Sequence, residues 1–440
     1  MRSFRSMTVL LICSIFFSIL SSVTLWAGDR QSLRVGATKV DITPSDLTNL
    51  NPWGGTYKDV HDHIYARMLV LDNGVNTAAL VSLDLAETGD TTEVRQRIQS
   101  ELGIPVDHII ITSSHDHSAP RAGVVTAGGL AHGASSATAG FTNTLYDKIV
   151  NGLKQAKASL QPARFGMGTG VCDINVNRDE YVPQTKSWVQ GVNQNRPSDK
   201  TVWVMKFETL SGEPIAVFFN YAVHSAVALG TGSLSRDLGG SAARYVEERY
   251  NNKVVALYTM GAAGDQNPRI MFGGGGGPSA PVDSTVVYDA MNAMGTMLGA
   301  EVVRTAKLIQ EMASTVRLEA AERIVSCPVK KGVNQMGDMK QEDVSSMPLH
   351  LGLIMINQVA LTGVSGEVVT NIYLHLKKAS PLTNTIMMTL ANDRVGYIVD
   401  DEAYDTPYFE TNGTPIARGY AENGIVDGLV EMINKCLDTP

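Results

Sequence analysis

The segment His108–Pro120, HIIITSSHDHSAP, holds the sharpest change of character in the chain. Consecutive isoleucines followed by a threonine form a β-branched run suited to a buried strand. The run breaks into His115-Asp116-His117, two imidazoles one residue apart on a strand-to-loop exit. Histidines placed this way can present nitrogen ligands to a divalent metal, usually zinc, or can serve a hydrogen-bonded loop. The spacing alone leaves both readings open.

Working outward, short apolar runs alternate with helical patterns. YARMLVLDNG (65–74) reads as a strand entering an Asn73-Gly74 turn, with TAALVSLDL (77–85) as its hairpin partner. TVWVMKFET (201–209) and PIAVFFNYAV (214–223) bracket the turn LSGE, and KVVALYTMG (253–261) is a further strand. LGLIMINQVALTGVSGE (351–367) and TNTIMMTLAN (383–392) supply more strands. Helical spacing covers 92–102, 142–160, 241–250, 289–310 and 424–437. The alternation predicts an α/β or α+β fold, a mixed β-sheet core flanked by helices. His115, His224, Asp265 and Glu367 each follow a different predicted strand. Ligands bind beyond the carboxyl ends of strands in open sheets, so these residues point to one shared cleft.

The chain has 440 residues, 44% hydrophobic and 18% charged, enough for a sizeable core. The formal charge of −8 and the lack of a basic patch argue against a nucleic-acid partner. Arg2 and Arg5 precede the apolar stretch 7–27, and Ala27 stands before the polar GDRQ. Residues 1–27 therefore read as a secretory signal peptide and 28–440 as the mature protein, secreted or periplasmic. Four serines dilute the stretch, which makes an uncleaved membrane anchor the weaker reading. Cys172, Cys327 and Cys436 remain after cleavage, so one disulfide at most can form, and no CxxC spacing suggests a zinc knuckle. The glycine run 273–277 lacks the Lys and Ser or Thr of a phosphate-binding loop.

Other metal and nucleophile motifs fail. Ala119 and Pro120 stand where a metallo-β-lactamase motif needs Asp and His, and GVSGE is not a nucleophile elbow. TSSHDHSAP instead resembles the Thr-His-Thr-His-Ser-Gly-Pro signature of the neutral, non-lysosomal ceramidases. VGATKVDITP, NPWGG, VNRDE, FFNYAVHSAV, LSRDLGGSA, GAAGDQNP, GVSGEVVT and ANDRVGYIVDDEAYDTPYFE resemble further motifs of that family, in the family's order. The resemblance runs from about Arg34 to Glu410. The family's C-terminal immunoglobulin-like domain has no counterpart before the chain ends, so 28–440 is expected to be a single zinc hydrolase catalytic domain.

The resemblance implies a zinc ion held by His115, His224, Glu367 and Tyr397. It places His117 on the substrate side as proton carrier and Arg178 near the substrate's polar head. Tyr404 is implied to grip substrate or oxyanion. Two imidazoles and a carboxylate suit zinc and leave room for water. The implied activity is hydrolysis of an N-acyl amide in ceramide or a related lipid-like compound, with transient contact at a membrane surface. Two departures bear on substrate. Asn267 replaces the serine of the family's Gly-Asp-x-Ser-Pro loop, and Asp116 replaces the threonine between the histidines, where it adds charge near the metal and is expected to orient a histidine. Other readings are a zinc-binding inactive homologue, a hydrolase of a non-lipid ester or amide, and a serine hydrolase. Taken singly, Asp84 and Asp237 read as turn-closing acceptors of backbone N–H groups.

Overall fold

The computed structural model describes residues 31–123, 136–272, 283–330 and 345–438. The expected signal peptide and the glycine run lie outside them. Four layers stack in the order helices, sheet, sheet, helices. The larger sheet has eight strands, in the order 255–260, 214–221, 201–209, 161–171, 34–41, 65–72, 77–83 and 109–113. Its pairings are antiparallel except at the two edges, where 214–221 runs parallel to 255–260 and 77–83 parallel to 109–113. The second sheet has four strands, 318–328, 346–356, 359–364 and 384–389, with the last pair parallel. The expected mixed-sheet α/β architecture is what the chain adopts.

The two sheets bury their facing surfaces against each other through Leu69, Ile110, Phe218, Leu257, Ile354, Leu361 and Ile386. Helices Thr92–Leu102 and Ser136–Ala158 cover one half of the large sheet's outer face, and Asp237–Arg249 and Ser284–Leu308 cover the other. Helices Thr370–Ala379 and Ala421–Asp438 cover the small sheet. The inner strands of the two central sheets are thus enclosed on both faces, which is why they read as unbroken apolar runs.

The hairpin at Asn73-Gly74 forms as expected. Asn73 Oδ1 accepts from the N–H groups of Val75 and Asn76, and Gly74 takes φ +82°. Strand Gln161–Val171 carries no readable alternation, because Gly166, Gly168 and Gly170 line the face that helix Ser284–Leu308 and its continuation press against. A Cβ at Gly170 would meet Glu301 Oε1 at 2.2 Å and Thr305 Oγ1 at 2.5 Å. The hairpin Asn175–Val182 and Ser187–Asn193 joins Gln266–Pro268 in a small third sheet. Cys172, Cys327 and Cys436 are buried free thiols. No helix among the described residues is long and apolar enough to cross a membrane.

Candidate metal centre and active site

His115 leaves strand Ile109–Ser113, and His224 leaves strand Pro214–Tyr221. Their exit loops are stitched together. Asp116 bridges Ser225 in parallel register, and His117 N–H donates to Ser225 O at 2.9 Å. Glu367–Val368 pairs in parallel with Tyr397–Ile398, and the register sets Glu367 directly beside Tyr397. The small third sheet brings Arg178, and Gln266–Pro268 beside it brings Asn267. Six separated chain segments therefore meet, with His115 and His224 at the carboxyl ends of parallel-paired strands.

One ring nitrogen from each of His115, His117 and His224 lies within 4.8 Å of the other two. His115 Nδ1 faces Ala86 O at 3.0 Å, and His224 Nδ1 faces Gln266 O at 3.1 Å. A carbonyl oxygen can only accept, so each Nδ1 carries the proton and each Nε2 presents a lone pair. Both lone pairs point at Glu367 Oε2, 3.1 Å from His115 and 3.5 Å from His224. Arg178 Nη1 also donates toward His224 Nε2 at 3.4 Å. Glu367 Oε2 is buried with no hydrogen-bond partner of good geometry among the described residues. A buried carboxylate oxygen facing two imidazole lone pairs is costly unless a cation lies between them. This donor set fits a divalent metal, and carbonyl-anchored Nδ1–H groups are the usual support for metal-bound histidines.

His117 differs. Its Nε2 lies 3.1 Å from His115 Nε2, and its buried Nδ1 has no partner among the described residues. No carbonyl among the described residues locks its ring. Trp53, exposed at the rim, donates its indole N–H to His117 O at 2.9 Å and packs its ring 5.0 Å from the imidazole. His115 itself holds φ +54°, a left-handed conformation disfavoured for a residue with a Cβ and often retained at functional sites.

Arg178 is the hub of the opposite wall. Nε donates to Glu410 Oε1 at 2.6 Å, Nη1 to Asn267 Oδ1 at 3.1 Å, and Nη2 to Tyr397 Oη at 3.1 Å. Burial alone would raise the Glu367 carboxyl, but its polar surroundings, His115 first and Arg394 among them, hold its pKa well below the usual range. Burial, then the Glu367 charge, push the Tyr397 phenol far up. Burial, and then Arg178, depress His224 to about 4. Behind Arg178, burial and then Glu410 push the Asp179 carboxyl up to about 8.

His115, His117, His224, Glu367, Tyr397, Arg178 and Asn267 thus converge. Tyr404 takes another course. Its hydroxyl donates to Ile416 O at 2.8 Å, its ring lies under the Lys330 ammonium, and it packs on the core beneath the small sheet. Asp116 does not orient a histidine either. Its Oδ1 accepts from Ser118 N–H at 2.8 Å, and burial followed by the Asp237 charge drives its carboxyl well above the ordinary range. Asp237 accepts the N–H groups of Val227, Ala228 and Leu238, the turn-closing role read for it. Asp84 accepts Tyr65 N–H and chelates the buried Arg67. Three functional neighbours escaped the sequence reading: Trp53, Glu410 and Arg394. Only a charged residue three places before Tyr397 hinted at Arg394.

The sequence model of the family described as neutral/alkaline non-lysosomal ceramidase, N-terminal, matches residues 34–274. The neutral ceramidase of Drosophila melanogaster is 27% identical over 264 residues, 54% of this chain and 36% of that protein. Neutral ceramidase A of Dictyostelium discoideum is 28% identical over 245 residues, 52% of this chain and 34% of that protein. The chain thus spans about a third of the length of these curated relatives. The crystal structure of neutral ceramidase from Pseudomonas aeruginosa superposes with a TM-score of 0.72 at 18% identity, covering 94% of this chain and 76% of that one. A structure described as ceramidase complexed with C2 gives 0.72 at 19% identity, covering 92% and 76%. By its sequence match over more than half its length, the chain belongs to the neutral/alkaline non-lysosomal ceramidase family.

Proposed function

We propose that the chain is a metal-dependent hydrolase of N-acyl amides, with ceramide or a related lipid-like amide as substrate. The observation that carries this reading is the buried, unpartnered Glu367 Oε2 facing the Nε2 atoms of His115 and His224. His115, His224, Glu367 and Tyr397 would hold the ion, with zinc the best match to two imidazoles, a carboxylate and a phenolate. A divalent cation held there supplies Lewis acidity, acidifying water and polarising the scissile carbonyl.

The remaining chemistry belongs to side chains of the chain. His117, with no carbonyl fixing its ring, carries the proton from the attacking water to the leaving nitrogen. Arg178 turns its guanidinium toward the cluster and donates to the developing negative charge on the acyl oxygen. Glu410 and Asn267 hold that guanidinium in place. Asn267 thereby acts as an anchor and is no nucleophile, so replacement of the family's serine is compatible with turnover. Trp53 and Phe409 are exposed beside His117 and Tyr397 respectively, and offer apolar surface to an acyl chain. We further propose that 28–440 acts as one catalytic domain exported by the 1–27 segment.

The test measures bound zinc and turnover of a fluorescent ceramide beside a panel of N-acyl amides and esters. Wild type is expected to bind one zinc per chain and to cleave an amide. His115→Ala and chelated wild type are expected to lose turnover by at least about a hundredfold. Activity that survives both treatments would sink the metal mechanism. Zinc binding without turnover on any panel member would favour an inactive homologue.

A further inference from the structure

Glu367 has two carboxylate oxygens, and only Oε2 faces the histidines. Oε1 lies 3.5 Å from Arg394 Nη2, and the same guanidinium places Nε 2.9 Å from Glu87 Oε1. Glu87 Oε2 in turn lies 3.5 Å from Arg121 Nε, and Arg121 covers the Trp53 ring at 5.6 Å. All three members of the Glu367–Arg394–Glu87 chain are largely shielded from water, with side-chain exposures of 2%, 13% and 8%. In that setting a charge pair is weakly screened.

We propose that Arg394 is a positioning residue that occupies Glu367 Oε1, so that Glu367 offers a single oxygen to a cation held by His115 and His224. This rests on the metal-site reading above. A free carboxylate beside a divalent ion can supply both oxygens, and the second would use a position that substrate needs. Arg394 is suited to prevent this because its fork reaches two carboxylates at once, Glu367 through Nη2 and Glu87 through Nε. Glu87 balances the arginine, so the cation of the side chain adds little net repulsion to a metal. Lysine keeps a cationic donor but lacks the planar fork that spans the two carboxylates.

The test loads the full-length protein with Co2+ and reads its visible absorption, which needs no turnover. The variants are Arg394→Met alone and Arg394→Met with Glu87→Gln, the pair that keeps the buried charge balanced. A released Oε1 raises the number of donor atoms, and Co2+ absorption is expected to fall by roughly half or more as coordination expands. Co2+ affinity is expected to hold or tighten while amide turnover drops. Arg394→Lys, which keeps a cationic donor for Oε1, is expected to restore most of the wild-type band. An unchanged spectrum in the balanced double variant overturns the role of Arg394. Loss of Co2+ from that variant at unchanged melting temperature overturns it too, because Arg394 would then serve to retain the metal. Failure of the wild type itself to take up Co2+ removes the metal site, and the inference with it.

Discussion

Glu410→Gln isolates the charge that holds Arg178. Arg178 Nε and Glu410 Oε1 are 2.6 Å apart, with side-chain exposures of 3% and 1%. Removing one partner of a buried ion pair typically costs about 3–5 kcal/mol, because the other charge is left uncompensated. Asp179 modifies this. Burial first, and the Glu410 charge second, raise its carboxyl to about 8. Its folded pKa lies above the unfolded one, so the folded state binds the extra proton. The stability this contributes is complete below about pH 4 and is lost as pH rises through about 8. Neutralising Glu410 removes one of the two causes, so Asp179 ionises earlier in the variant. Each unit by which its pKa drops returns about 1.4 kcal/mol to the variant at high pH. The expected result is a loss of about 3–5 kcal/mol at pH 5 that shrinks by at least about 1 kcal/mol at pH 8. Urea unfolding at the two pH values measures it, with Glu410→Gln plus Asp179→Asn as the control whose loss is independent of pH. A loss under about 1 kcal/mol at pH 5, or one identical at both pH values, refutes the reasoning.

Asn267→Ala removes the acceptor for Arg178 Nη1 and is expected to lower turnover about tenfold with zinc content unchanged, whereas Asn267→Ser keeps an acceptor and most of the activity; steady-state kinetics beside metal analysis separates the two. Gly264→Ala would put a Cβ 2.7 Å from Glu367 O and 2.9 Å from Val368 C, both backbone atoms that cannot swing aside. Displacement of Glu367 is then expected to weaken zinc at least about tenfold in a chelator competition. Arg67→Met leaves Asp84 and Glu247 buried without their shared cation, and is expected to destabilise by about 3–5 kcal/mol while the protein that stays folded keeps its zinc. Trp53→Ala strips the rim of its indole and of the bond to His117 O. It is expected to raise KM for a long-chain amide several-fold more than for a short one, which paired kinetics would reveal.

Much of the layout was legible in the chain itself. The β-branched run at Ile109–Ile111 and the apolar runs around residues 65–83, 201–221 and 255–260 appear as strands because enclosure on both faces leaves no polar alternation to hide them. His115, His224 and Glu367 each follow such a run, and a polar group after a buried strand stands out against its surroundings. Gln161–Val171 did not read as a strand, since its glycines answer to a helix more than a hundred residues later.

What only the tertiary structure decided is the direction of each side chain once the segments meet. The chain alone places Asp116 between two histidines, yet in the loop beyond the strand its carboxylate turns to Ser118 N–H and lies near Asp237. It places Tyr404 close to Tyr397, yet a short helical turn aims the phenol at Ile416. It gives Arg394 and Glu87 no mutual signal, although they share one buried ion pair across more than three hundred residues. Sequence determines which residue types sit at strand ends, because that follows from local hydrophobic pattern. Which of their atoms face one another depends on the register and packing of strands distant in the chain, and the metal-site geometry exists only at that level.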